Sequence, residues 1–132
     1  MKAVSLRIIT ADIKNLVHFF ENATTLSAKW ATEDFAEIST PSFTLAIGST
    51  RTLSFFGEGV AQPASNRSVI IEFLVNNVDE DFERIKALTD DIVQEPTTMP
   101  WGNRSLLFRD PDGNLINFFT PVSEEAIKKF NK

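Results

Sequence analysis

Two stretches of the chain open as short apolar runs with a charged residue at every-other-residue offset, Arg7 and Glu72, and then change period. Leu6-Arg7-Ile8-Ile9-Thr10 is followed by an apolar stripe at helical spacing, Ile13, Leu16, Val17 and Phe20. Ile71-Glu72-Phe73-Leu74-Val75 is followed in the same way by Val78, Phe82, Ile85 and Leu88. A period of about two suits a half-buried strand and one of about 3.6 an amphipathic helix, so each stretch predicts a strand running into a helix. The junctions carry helix-starting residues. Asp12 and Asn77 stand directly before the first apolar helical position, where a side-chain oxygen can accept from free N–H groups of the first turn. The helices are expected over Ile13–Asn22 and Val78–Asp91.

Three further strand candidates follow each helix. They are Ser27–Ala31, Phe35–Ser39 and Phe43–Gly48 in the first half, and Ile92–Glu95, Ser105–Arg109 and Leu115–Thr120 in the second. The chain therefore reads as two copies of β-α-β-β-β, about residues 3–56 and 68–121, joined by a linker of about 57–67 that contains Gly, Pro, Ser and Asn. Thr52–Phe56 reads equally as a helical turn or a strand extension. Ser123 opens a short C-terminal helix, about 123–131, with Ile127 and Phe130 on its apolar side. A chain of 132 residues fits a single domain able to bury a core. The expected fold class is α+β: two β-α-β-β-β modules forming a curved, mostly antiparallel sheet with the helices outside. One helix layer covers one sheet face, so the opposite, concave face is left as a pocket.

Composition narrows the chemistry. The absence of cysteine excludes disulfides, thiolate nucleophiles and Cys-based zinc sites. A net charge of −5 argues against nucleic acid as a partner, since phosphate binding needs a basic face. No apolar stretch matches a signal peptide or a membrane span, which sets the expectation of a cytoplasmic protein without membrane contact. Twelve Phe and two Trp with no Tyr make the aromatic content non-polar, suited to a core or to an apolar pocket wall. The single histidine, His18, falls beside Lys14 and Glu21 on the polar side of its helix, so neither a Ser–His–acid relay nor a two-histidine metal triad is expected. Gly57-Glu58-Gly59 lacks the following helix and Lys-Ser/Thr pair of a phosphate loop.

The most specific stretch lies near the C-terminus. Pro100-Trp101-Gly102 precedes a strand, and Asp110-Pro111-Asp112-Gly113-Asn114 turns it into a second strand. Pro111 pre-sets φ, the two Asp residues can bond neighbouring N–H groups, and Gly113 tolerates positive φ. This hairpin resembles the closing hairpin of the vicinal oxygen chelate superfamily, which holds glyoxalase I, extradiol dioxygenases, and fosfomycin- and bleomycin-resistance proteins. The resemblance extends over roughly residues 3 to 121 and implies that the concave face is the binding site. In the superfamily's metal enzymes the ligands sit on the first and last strands of each module. The matching positions here are Ser5, Ile70, Asn117 and somewhere in Phe43–Ile47, which offers no acid. None of the expected ligands is present, so no metal, no cofactor and no catalytic residue is expected.

Strand alternation then selects the candidate binding residues. Arg7 and Glu72 fall on the concave face, where a charge needs a partner: an ion pair between them, a partner subunit or a ligand. Ser105 and Asn117 add polar contacts, and Trp30, Trp101 and Leu107 apolar walls. Pro-Trp-Gly before a strand ending Arg-Asp-Pro looks most like the bleomycin-resistance branch, whose members bind a cationic drug without metal chemistry between two subunits. That resemblance implies a homodimer and a metal-free protein that binds a small amphiphilic or aromatic molecule, with antibiotic or toxin sequestration as its role. The alternative is a metal-dependent enzyme of glyoxalase or dioxygenase type with displaced ligands. A third reading is an interaction module whose pocket is filled by Phe side chains.

Overall fold

The structure, a computed structural model, describes residues 1–131. Two compact units divide it: Met1–Asn66 with Pro111–Gly113, and Arg67–Asp110 with the segment from Asn114 onward. The first unit runs β1 (Ser5–Thr10), α1 (Ile13–Thr24), β2 (Lys29–Thr32), β3 (Phe35–Ser39), β4 (Thr44–Ser49) and a 3₁₀ helix, Thr50–Phe55. The second runs β5 (Ile70–Leu74), α2 (Val78–Leu88), β6 (Ile92–Thr98), β7 (Asn103–Arg109), β8 (Leu115–Pro121) and α3 (Glu124–Phe130). The fold class is α+β and the β-α-β-β-β duplication is present. The strands form two four-stranded sheets, ordered β1-β4-β3-β2 and β5-β8-β7-β6, where a single sheet was expected. In each, the first strand pairs parallel with the last and the other pairings are antiparallel.

The helix starts follow from the capping residues. The Asp12 carboxylate accepts from Asn15 N–H at 3.2 Å, the Asn77 amide oxygen from Glu80 N–H at 3.3 Å, and Ser123 Oγ from Ala126 N–H at 3.1 Å. The helix ends differ from expectation. α1 continues to Thr24 and stops at Thr25, whose φ of 61° is left-handed. α2 stops at Leu88 because Thr89 turns extended while its N–H still donates to Ile85 O. The segment left open between helix and strand is helical, its start capped by Ser49 Oγ accepting from Arg51 N–H. β6 runs on through Pro96, which an edge strand tolerates, with register shifts on either side of Gln94.

Each sheet buries the face turned toward its long helix, here the near face. In the first unit Ile8, Ala36, Ile38, Leu45 and Ile47 pack with Leu16, Val17 and Phe20 of α1. In the second, Ile71, Leu106, Phe108, Ile116 and Phe118 pack with Val78 and Ile85 of α2. Phe118 meets Phe73 and Phe108 edge-on, with ring centroids 5.6 and 5.0 Å apart. Each of the larger of these buried side chains, Val, Leu, Ile or Phe, stabilises the fold by about 1.5–3 kcal/mol relative to exposure. The start of α2 is also tied to β7 by a two-point contact, Arg104 Nε and Nη2 to the Asp79 carboxylate at 2.9 and 3.0 Å. Arg104 holds the Asp79 carboxyl below its usual range, so this tie is present at neutral pH and is lost as pH falls through that lowered value. Among the described residues no helix is long and apolar enough to cross a membrane.

The Asp110–Asn114 turn is architectural. Asp110 and Asn114 are both buried, and the Asp110 carboxylate accepts from Asn114 N at 2.9 Å and Asn114 Nδ2 at 2.7 Å. Asp110 N–H donates back to Asn114 O at 3.1 Å, and Gly113 supplies the positive φ of 84°. Asp110→Ala is expected to cost about 2–3 kcal/mol, because it strands two donors that a carboxylate had satisfied. Urea denaturation measures this; a loss within experimental error would mean the turn forms without that carboxylate.

Candidate functional site

The strand register defines the far face of each sheet, the one turned away from α1 or α2. In the first unit its central row is Arg7, Ala46, Glu37 and Lys29, running across β1, β4, β3 and β2. The Arg7 guanidinium lies over two rings, 5.0 Å from the Phe35 centroid and 5.5 Å from that of Phe56. In the second unit the central row is Glu72, Asn117, Leu107 and Gln94, across β5, β8, β7 and β6. The next row is Leu74, Phe119, Ser105 and Thr97. Glu72, Asn117, Leu107 and Ser105 are therefore brought together as the alternation requires. Arg7 is partnered by two rings of its own unit and Glu72 by the Asn117 amide.

Asn117 is the polar centre of that face. It is 9% exposed, and its Nδ2 donates to Glu72 Oε2 at 2.9 Å. Its Oδ1 is buried and has no hydrogen-bond partner. The amide orientation follows from chemistry: turned over, Oδ1 would face a carboxylate oxygen, acceptor against acceptor. Glu72 itself is exposed, as are Ile70 and Leu74 on the same strand.

Both tryptophans fall elsewhere. Trp30 pairs with Ala36, which is fully buried on the α1 side, so Trp30 belongs to the near side of edge strand β2 and not to the far-face wall expected of it. The strand begins two residues later than the sequence range suggested, and an irregularity follows Trp30, which leaves the periodicity of so short a segment uninformative. Trp101 is 66% exposed in the turn between β6 and β7, ahead of the strand that starts at Asn103. Its neighbour Gly102 is the buried residue of that turn, with φ +93° and a carbonyl accepting from the N–H groups of Val122 and Ser123.

One far-face contact was missed. The ring of Phe130 of α3 lies against that of Phe119, tilted by 59° with centroids 5.2 Å apart, so the C-terminal helix covers one end of the second unit's far face. The apolar side of α3, Ile127 and Phe130, was visible in the sequence; its partner was not. Of the twelve Phe residues only Phe35 and Phe119 lie on far-face strand positions. The others sit on near faces, helices or loops.

The positions matching metal ligands do not suit a metal. Ser5, Ile70 and Asn117 are on far faces, and β4 presents Thr44, Ala46 and Gly48 there. Among the described residues no group of three or more His, Cys, Asp or Glu side chains could hold a metal ion. Hydroxyl, alkyl and amide groups do not fit a divalent transition metal, which takes imidazole, thiolate or carboxylate. His18 is exposed on α1, with Nε2 3.2 Å from Asn22 Nδ2.

A duplicated β-α-β-β-β unit, helix on one sheet face and a partly polar strand row on the other, defines a class of α+β proteins. The chain belongs to the glyoxalase/bleomycin resistance protein/dioxygenase superfamily, whose family model matches residues 2–118. A solved glyoxalase/bleomycin resistance protein/dioxygenase family enzyme from Burkholderia phytofirmans PsJN is similar at TM-score 0.81 and 13% identity, over 92% of this chain and 100% of that one. A glyoxalase/bleomycin resistance protein/dioxygenase from Nocardioides gives TM-score 0.75 and 20% identity, over 94% and 85% of the two chains. A glyoxalase-related enzyme from Fulvimarina pelagi gives 0.77 and 17%, over 91% and 88%. At these identities the likeness is one of fold. Among curated proteins, none matches the chain.

Proposed function

We propose that this chain is a metal-free small-molecule binding protein, nearest in kind to the bleomycin-resistance branch of its superfamily. The observation that carries the reading is the far-face row of the second unit. Where the superfamily's metal enzymes are expected to place a chelating carboxylate, Asn117 engages Glu72 and is flanked by leucine. Such a row offers a few polar groups on an apolar surface, which is what an amphiphilic or aromatic ligand needs for orientation and burial. Sequestration of an antibiotic or toxin in the cytoplasm, by a homodimer, is the biological form of this reading. The names of the solved relatives favour a rival, a metal-dependent enzyme of glyoxalase or dioxygenase type.

Metal analysis of protein purified without chelators separates the two. Binding without metal predicts divalent metal far below stoichiometric and a melting temperature unchanged by chelator. A stoichiometric divalent metal whose removal lowers the melting temperature would sink the proposal, because a ligand bound to the native state must stabilise it.

A further inference from the structure

We propose that Glu72 and Asn117 form a receptor for an N–H-donating organic cation, an amidinium, guanidinium or primary ammonium carried on an apolar body. This names the ligand class for the small-molecule binding reading above and rests on it. One Nδ2 hydrogen is spent on Glu72 Oε2 at 2.9 Å, and beside the second amide hydrogen the pair presents acceptors: the Asn117 Oδ1 and the free lone pairs of the carboxylate. Oδ1 is buried and unpartnered, in a residue more than nine-tenths buried. Buried acceptors nearly always have a donor, and this one lacks a donor from the described chain. Its neighbours along β8 and directly across on β7 are Leu115, Phe119 and Leu107, and the next positions of β7 on that face are Ser105, a second polar contact, and Arg109.

The carboxylate decides the sign of the ligand. An anion would be repelled by Glu72 and would leave Oδ1 unsatisfied. A hard metal ion takes about six or more oxygens, and two do not make its site. An N–H cation satisfies both groups through charge-assisted hydrogen bonds, which gain strength away from water. Glu72 is exposed and receives the cation first. Oδ1 is closed to solvent, so the second N–H reaches it only as the side chains over it shift; half-buried Leu107 is the cross-strand neighbour of Asn117.

The test is an amide NMR titration of the full chain with benzamidine, benzyltrimethylammonium (charge without N–H) and benzyl alcohol (no charge). Benzamidine should move the Asn117 side-chain amide and the Glu72 and Leu107 backbone signals, and the other two should bind at least about tenfold more weakly. Glu72→Gln and Asn117→Leu should each weaken benzamidine by about tenfold or more. Asn117→Leu should keep the native spectrum and melt no lower than the parent, since it removes an orphan acceptor and returns Glu72 to water. Benzyl alcohol binding this face as tightly as benzamidine would refute the ligand class and leave the binding reading standing. Equal binding of benzyltrimethylammonium would refute the N–H clamp, and benzamidine binding without moving Asn117 would refute the site. A clearly lower melting temperature for Asn117→Leu would make Asn117 a structural residue and overturn the receptor. No response of these signals to any probe would overturn receptor and binding reading together.

Discussion

Gly102→Ala should destabilise the protein by roughly 2–6 kcal/mol, adding the cost of a strained φ to that of overpacking. The φ of +93° is one that alanine adopts only under strain. Space is the second obstacle. A methyl group there would overlap Ser123 Oγ, and lie 2.6 Å from Ser123 Cβ and 3.2 Å from Ala126 Cβ. Ser123 cannot move away freely, because its Oγ caps α3 through Ala126 N–H and its own N–H is held by Gly102 O. Gly113→Ala is the control: φ is +84°, but nothing lies within 4 Å of the added carbon, so only the conformational cost of about 1–3 kcal/mol applies. Urea denaturation of the two variants distinguishes these costs. Equal losses would mean that α3 does not press against the β6–β7 turn.

Phe118→Ala should cost about 3–5 kcal/mol, the range for emptying a large aromatic site in a packed core. Phe118 is 2% exposed and contacts the rings of Phe73 and Phe108, which cannot both collapse into the space. Its sequence neighbour Asn117 points to the other face, where substitution by leucine is expected to leave the melting temperature unchanged or raised. Adjacent positions on β8 thus face opposite ways, one holding the sheet to α2 and the next on the face proposed above to bind a ligand. Chemical denaturation of Phe118→Ala decides the first half of that contrast. A loss below about 1 kcal/mol would mean the near face is loosely packed and the core lies elsewhere.

Much of this was legible because it is local. Asp12, Asn77 and Ser123 announce helix starts through their own side chains, and alternation along β1, β5 and β8 assigns Arg7, Glu72 and Asn117 to one kind of face. What escaped depends on pairing or packing between distant segments. Trp30 needed the register of β2 against β3, which a four-residue strand with an irregularity does not declare. Trp101 needed the start of β7, set by a turn whose Gly102 is selected by contact with α3. The rings around Arg7 come from β3 and from the residue just after the 3₁₀ helix, and the partner of Phe130 from β8. The Asp110–Asn114 motif, which first marked the family, acts in the structure as the device that turns β7 into β8.

Metal-free binding is tested most directly by thermal denaturation of the full chain in chelator, across a panel of aromatic and amphiphilic cations, then again with divalent metal. At least one compound should raise the melting temperature saturably without metal, corresponding to about 2.7 kcal/mol at a hundredfold excess over its Kd. No stabilisation by any compound in chelator, with a rise on adding a divalent metal, would contradict it.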